Sequence, residues 1–263
     1  MGEVNYQPLI DDMVWSFSRI QTYDDCPFRW YLRYICRDHE RDKFYASYGS
    51  NMHRLIERFY KGELTKEQML TEYLVNFRRD VKGVRPKEST FLKYLNGGIE
   101  YLKNFQHFPF KMLSVEEEVN FEIDGIPFTG FIDFLGTDED GEFAVVDNKS
   151  RDLKPRSTRS KPTRKDEELD EVLRQLYLYC AAVEQKYGKL PKWLCFNCFR
   201  TGVFIKEPFR QEAYEEAKKW ALDRIKQIRE DDEFLPKPDA FSCYWICGVD
   251  HECNFAECWK TGS

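Results

Sequence analysis

The period of the apolar positions changes along the chain, and the changes mark out its elements. From Ser16 to Cys36, Ile20, Tyr23, Tyr31 and Tyr34 recur at near-helical spacing, with Ser16 or Ser18 placed to cap. Pro27 has no amide hydrogen to continue a helix, so two short helices meeting near Cys26 are expected. Residues 44–61 form a further helix with Met52, Leu55, Ile56 and Phe59 on one face, and residues 65–79 and 86–106 read the same way. The period then falls to two. Val115, Glu117, Val119, Phe121 and Ile123 share one face of a strand over 113–123, with Glu117 as the acidic exception. Asp124-Gly125 gives a turn, Pro127–Leu135 a strand, Asp138–Gly141 a turn and Glu142–Lys149 a third strand, which together make an antiparallel meander. Helical spacing returns at 169–187, followed by a strand pair, Lys192–Phe199 and Val203–Phe209, and an amphipathic helix over 211–230. Pro236-Lys237-Pro238 ends that helix and leads into a cysteine-rich stretch.

Composition adds limits. A chain of 263 residues with 42% apolar and 16% aromatic residues can build one large core. It is read as one domain over 1–263: a helical part over 14–110, a sheet and helix over 111–210, and a terminal helix with cysteines over 211–263. No apolar run is long enough to span a bilayer. The opening MGEVNYQPLIDDM lacks a basic and an apolar region of the signal-peptide kind, so a cytoplasmic location is expected. The net charge of -6 argues against a general polyanion binder but leaves room for a locally basic channel. Such a region lies between Arg151 and Lys165, where Arg156, Arg159 and Lys161 stand among other cations against the single acid Asp152. Charge runs are usually solvated loops, and Pro155 and Pro162 suit a loop here. This one leaves the third strand directly after Lys149, so it is expected to close over a nucleic-acid backbone as a mobile clamp.

The chemistry centres on GFIDFL and AVVDNKS. Asp133 sits near the end of one strand, and Asp147, Asn148 and Lys149 end the next. Residues two apart in a strand share a face, so Asp147 and Lys149 point the same way. Two carboxylates on neighbouring strands, with the Asn148 carbonyl, offer hard oxygen ligands to Mg²⁺ or Mn²⁺. A lysine beside them can orient and help deprotonate a water. These are the parts needed to hydrolyse a phosphodiester. D-x-K alone is a common string; the buried Val145-Val146 before it and GFID one hairpin earlier give it weight. Glu117 is a further candidate, because an acid on a core-facing position is costly unless it is used.

G-x-x-D followed by D-x-K at this spacing resembles the PD-(D/E)XK nucleases, in particular the RecB-type branch that includes the AddB nuclease domain and the CRISPR-associated adaptation nucleases. YGSNMH resembles that family's G-x-x-x-H helix, with Gly49 and His53; LRQLYLYC resembles its Q-x-x-x-Y, with Gln175 and Tyr179; and SFSRIQTYDDCPFRWYLRY resembles its opening Cys-Pro motif. The likeness runs from about Ser16 to Cys253. It implies an α/β, restriction-endonuclease-like core, a mixed central sheet flanked by helices. It also implies His53 as a metal ligand beside Asp133 and Asp147, Lys149 as the residue that activates water, and Gln175 and Tyr179 as contacts to DNA near the scissile phosphate. Without the resemblance, His53 reads as a surface histidine and Gln175 and Tyr179 as one face of an amphipathic helix.

Nine cysteines are many for a reducing compartment, where disulfides are rare and a terminal cluster reads better as metal ligation. In Fe–S members of the branch one early cysteine joins three late ones, which here implies Cys26 with Cys243, Cys247 and Cys253, so that the two ends of the chain are joined by a cysteine-ligated cluster. The late spacing departs from the family's by one inserted residue, which leaves Cys258 as a substitute ligand and Zn²⁺ as an alternative to [4Fe–4S]. Cys36, Cys180, Cys195 and Cys198 read as core thiols. Trp30, Tyr31 and Tyr34 are read chiefly as core. The resemblance implies a DNA exonuclease that prefers single-stranded ends, working alone or with a helicase, recombination or CRISPR partner. A catalytically silent DNA-binding or assembly module, or a zinc-stabilised protein of the same fold, are the rival readings.

Overall fold

The computed structural model of the protein describes residues 6–256. The helical part contains α1 (Gln7–Asp11), α2 (Phe17–Asp25), α3 (Pro27–Trp30), α4 (Phe44–Tyr60), α5 (Lys66–Asp80) and α6 (Glu88–Lys103). The sheet strands are β1 (Lys111–Ile123), β2 (Ile126–Thr137), β3 (Phe143–Asn148), β4 (Trp193–Cys198) and β5 (Val203–Pro208). Between β3 and β4 runs α7 (Arg164–Tyr187), and α8 (Gln211–Glu230) and α9 (Ala240–Trp245) follow β5. Pro27 opens α3 where an amide hydrogen is not needed, and α2 and α3 meet at Cys26 as expected. A π-helical turn over Tyr31–Cys36 continues α3 and leaves Cys36 exposed, which corrects its reading as a core thiol.

The five strands lie in the order β1-β2-β3-β4-β5. β1, β2 and β3 form the antiparallel meander; β3 and β4 are parallel and are joined by the crossover through α7; β4 and β5 are antiparallel. The sheet is therefore mixed, and helices cover both faces. One core gathers Leu135, Val145, Leu194 and Phe196 of the sheet with Leu173, Leu176 and Cys180 of α7 and Ile225 of α8. The second gathers Phe134, Val146 and Cys195 with Met52, Tyr73 and Phe91 of α4–α6. Val145 and Val146, like Cys198 and Cys195, fall into different cores because neighbouring side chains of a strand point to opposite faces.

Two local departures from the expected pattern bear on the site. In β1, Val119, Phe121 and Ile123 belong to the first core but Val115 packs against the second. Glu116 between them has a left-handed backbone with φ 48, which interrupts the alternation. The chain from 151 to 163 is loop, but α7 starts at Arg164, earlier than its apolar spacing indicates. Thr163 and Asp166 form a reciprocal capping box there, each side chain bonded to the other's backbone N–H.

Candidate functional site

The ladder register builds the site. Val115 pairs with Phe134, and Phe134 with Val146. The next row across the three strands therefore holds Glu116, Asp133 and Asp147. All three line one open cleft of about 720 Å³, together with His53 of α4, Lys149 after β3, and Gln175 and Tyr179 of α7. Asp133 and Asp147 are 9% and 3% exposed, so the row is largely out of water. Burial, and after it the charge of Asp147, raises the Asp133 carboxyl above the ordinary aspartate range. Burial and then the charge of Asp133 push Glu116 up to about 7. Glu116 and Asp133, crowded in one row, resist losing both protons together.

α4 brings His53 to this row. Its Nε2 lies 2.7 Å from the Asn148 carbonyl, which can only accept, so Nε2 carries the hydrogen. Nδ1 then faces Asp133 Oδ2 at 3.3 Å. Lone pairs on two facing acceptors need a proton or a cation between them. One ligand atom each from His53, Glu116 and Asp133 lies within 4.8 Å of the others, the one group of this kind among the described residues. This mixed N/O set suits a divalent cation of the Mg²⁺ or Mn²⁺ type, and Asp147 borders it. The Asn148 carbonyl is engaged by His53, and the Asn148 N–H donates to Asp133 Oδ2 at 2.7 Å, fixing that carboxylate.

On the other side of Asp147, Lys149 Nζ lies 2.8 Å from Asp147 Oδ2 and donates to Gln175 Oε1 at 2.7 Å. Gln175 Nε2 in turn donates to the Tyr179 hydroxyl at 3.2 Å. Gln175 and Tyr179 reach the same cleft because they are four apart on α7. Burial raises the Tyr179 phenol, so it keeps its hydrogen at neutral pH. The Tyr179 ring packs over Gly130, where a Cβ would lie 2.6 Å from the ring. The glycine of G-x-x-D is thus required by the tyrosine of Q-x-x-x-Y.

The structure revises the acidic candidate on β1. Glu117 is paired with Lys186 of α7 and Ser114, and it does not line the cleft. Glu116 does. The signal was in the sequence: counting back from the two-residue Asp124-Gly125 turn places Glu116 opposite Asp133. The basic loop is also placed differently from the expectation. Arg156 is bonded to Asp170 and to Glu207, which is 8% exposed, and Ser157 donates from its N–H and hydroxyl to Asp166. Arg156 is therefore held against α7 and β5, and this part of the loop is not a free clamp. Arg159 and Lys161 border a separate shallow depression with Pro162 and Thr163 and are not brought to the carboxylate cleft.

Cys26, Cys243, Cys247 and Cys253 line one cavity of about 240 Å³. Their sulfurs are not drawn together around a single ion. Cys26 Sγ accepts from the Lys237 N–H, and burial raises the Cys247 thiol while the nearby Arg29 charge lowers it. Cys258 lies outside the described residues.

Comparison with known proteins agrees with this geometry. A family model described as the PD-(D/E)XK nuclease superfamily matches residues 14–258. A search of curated proteins finds no match. Among solved structures, an Eubacterium rectale protein provisionally named an exonuclease has a similar fold, with TM-score 0.51 and 13% identity over 100% of this chain and 93% of its own. A second structure, SSO0001, aligns over 89% of this chain and 84% of its own at 14% identity, with a TM-score of 0.34.

Proposed function

The chain belongs to the PD-(D/E)XK nuclease superfamily, and from that premise we propose that it hydrolyses DNA phosphodiester bonds with divalent cations held at His53, Glu116, Asp133 and Asp147. The observation that carries this reading is the grouping of His53, Glu116 and Asp133 in one cleft with Asp147 and Lys149. Mg²⁺ or Mn²⁺ bound there supplies positive charge to a phosphoryl group, which ordinary side chains cannot supply at that density. The chain's own residues do the rest. Lys149, held between Asp147 and Gln175, presents an ammonium at the edge of the carboxylate row and orients an attacking water. Gln175 fixes Lys149 and the Tyr179 hydroxyl together, so both aim at the strand lying in the cleft. Tyr179 stays protonated and donates to a phosphate oxygen.

The motif order resembles the RecB-type branch, and on that basis the substrate is single-stranded DNA attacked from an end. A helicase, recombination or CRISPR-adaptation partner would supply such ends. The test is degradation of end-labelled linear single-stranded DNA with Mg²⁺ or Mn²⁺. Wild type should cleave only with the cation, and Asp147→Ala should lose at least about 100-fold in rate, the scale of losing one essential catalytic group. Equal, metal-independent traces from both proteins would defeat the reading.

We also propose that Cys26, Cys243, Cys247 and Cys253 hold a [4Fe–4S] cluster. A single Zn²⁺ draws four sulfurs to about 2.3 Å from one point, whereas four separate irons space their ligands more widely. What supports the cluster is that all four thiols line one cavity. Iron with a visible absorbance band in anaerobically purified protein supports the cluster; stoichiometric zinc without colour overturns it.

A further inference from the structure

Thr129, Phe131 and Asp133 are alternate residues of β2, and all three line the carboxylate cleft. Phe131 is 53% exposed in a protein that otherwise knots its phenylalanines together. Most of the others meet a second ring, as Phe108 meets Phe134 and Phe121 meets Phe128, and Phe196 lies under the Lys149 ammonium. Among the described residues, which include every phenylalanine of the chain, Phe131 alone has neither a ring nor a cation against it. A single exposed apolar side chain is ordinary on a protein surface. This one stands two residues from the buried Asp133, about 6.6 Å along the strand at the usual rise per residue, in the cleft rather than on open surface.

From this we infer that Phe131 is a stacking platform for a nucleobase next to the phosphodiester held at Asp133, and that it sets the preference for unpaired strands. The inference rests on the nuclease reading and deepens it. A phosphate at the carboxylates places the neighbouring base within one nucleotide step, which matches the offset between Asp133 and Phe131. A base in a duplex has both faces covered by its neighbours, so it must unstack before it can lie on Phe131. A base in a single strand is already free to do so. Every base has a π face, so this contact favours single strands without favouring a sequence. Thr129, one pleat further along β2, continues the same wall with a hydroxyl suited to the sugar–phosphate backbone.

The experiment is binding of a short single strand carrying 2-aminopurine at successive positions from one end, with Ca²⁺ replacing Mg²⁺, for wild type, Phe131→Leu and Phe131→Trp. Leucine keeps the apolar volume and removes the ring, and unfolding temperatures check that all three proteins are folded. Wild type should quench the fluorophore at one position near the cleaved bond. Phe131→Leu should lose that quench and bind the single strand about ten-fold more weakly, the size of one base–aromatic stack. Phe131→Trp should restore both, and blunt duplex binding should change little in either variant. Equal single-strand affinity and equal quenching in wild type and Phe131→Leu would overturn the inference while leaving the nuclease reading intact. A wild type that neither binds nor cleaves DNA would defeat the nuclease reading and this inference with it.

Discussion

Glu116 concentrates the unusual features of the site in one residue: a left-handed backbone, a half-buried carboxyl and a pKa of about 7, raised by burial and by Asp133. Backbone of this kind persists only where its surroundings hold it, and it gathers at functional sites. The raised values of Glu116 and Asp133 have a consequence for stability. A carboxyl with a raised folded-state pKa keeps its proton in the folded protein at pH values where the unfolded chain has released it. Folding then takes up protons, so the metal-free protein should lose stability as pH rises from the ordinary glutamate range near about 4.3 towards 7. A cation in the row should reverse this, with the larger effect at high pH. Unfolding temperatures in EDTA at pH 5.5 and pH 8, and again with Mn²⁺, would show it; a metal-induced rise no larger at pH 8 than at pH 5.5 would contradict it. Of these residues, Asp133 and Asp147 were legible from the GFID and DNK strings. Glu116 was hidden because simple alternation put Glu117 on the inner face, and only the pairing register, which runs unshifted from the turn past Glu116, tells the two apart.

The elements carried by strong periodicity lie where the sequence places them: α4, the β1–β2 hairpin and α8 each agree with their apolar pattern to within a few residues. The start of α7 was less legible because the acidic run after Thr163 looks like loop. The capping signal, Thr163 followed by Asp166, was nevertheless present. Asp166 accepts from both Thr163 and Ser157, and these bonds hold its carboxyl well below the ordinary range. The same bonds tie the basic loop to the helix that carries Gln175 and Tyr179. Arg156 belongs to this tether. Replacing it with alanine leaves Glu207 without its cationic partner and should cost about 1–3 kcal/mol of stability. Arg159→Ala with Lys161→Ala should leave the unfolding temperature unchanged and, if these cations touch a DNA backbone, reduce the salt slope of binding by roughly one per contact. Chemical denaturation with salt-dependent binding separates the roles; an Arg156→Ala protein of wild-type stability would contradict the tether.

Across the whole molecule, the N-terminal helical part meets the last described stretch of the chain, and Tyr45, which lines the cleft, packs on Phe241 and Trp245 of that stretch. Lys43 bonds to Asp250 at 2.7 Å and donates to the Tyr244 carbonyl, the Arg41 N–H donates to Gly248, and the Lys237 N–H reaches Cys26. A cofactor on the four cysteines would fasten this junction. Cys26→Ser should therefore lower the unfolding temperature and expose the segment after α8 to protease while leaving α7 protected. Unchanged proteolysis after cofactor loss would separate the cysteines from the fold's integrity. The junction was legible only through the family resemblance, because nothing in local periodicity links Cys26 to residues more than two hundred positions later. The catalytic claim is tested most directly by metal-dependent cleavage of end-labelled single-stranded DNA by Glu116→Gln and Glu117→Gln side by side. Glu116→Gln should lose at least about 100-fold in rate and need more Mn²⁺, while Glu117→Gln cleaves like wild type. Loss in Glu117→Gln with full activity in Glu116→Gln would contradict the site described above.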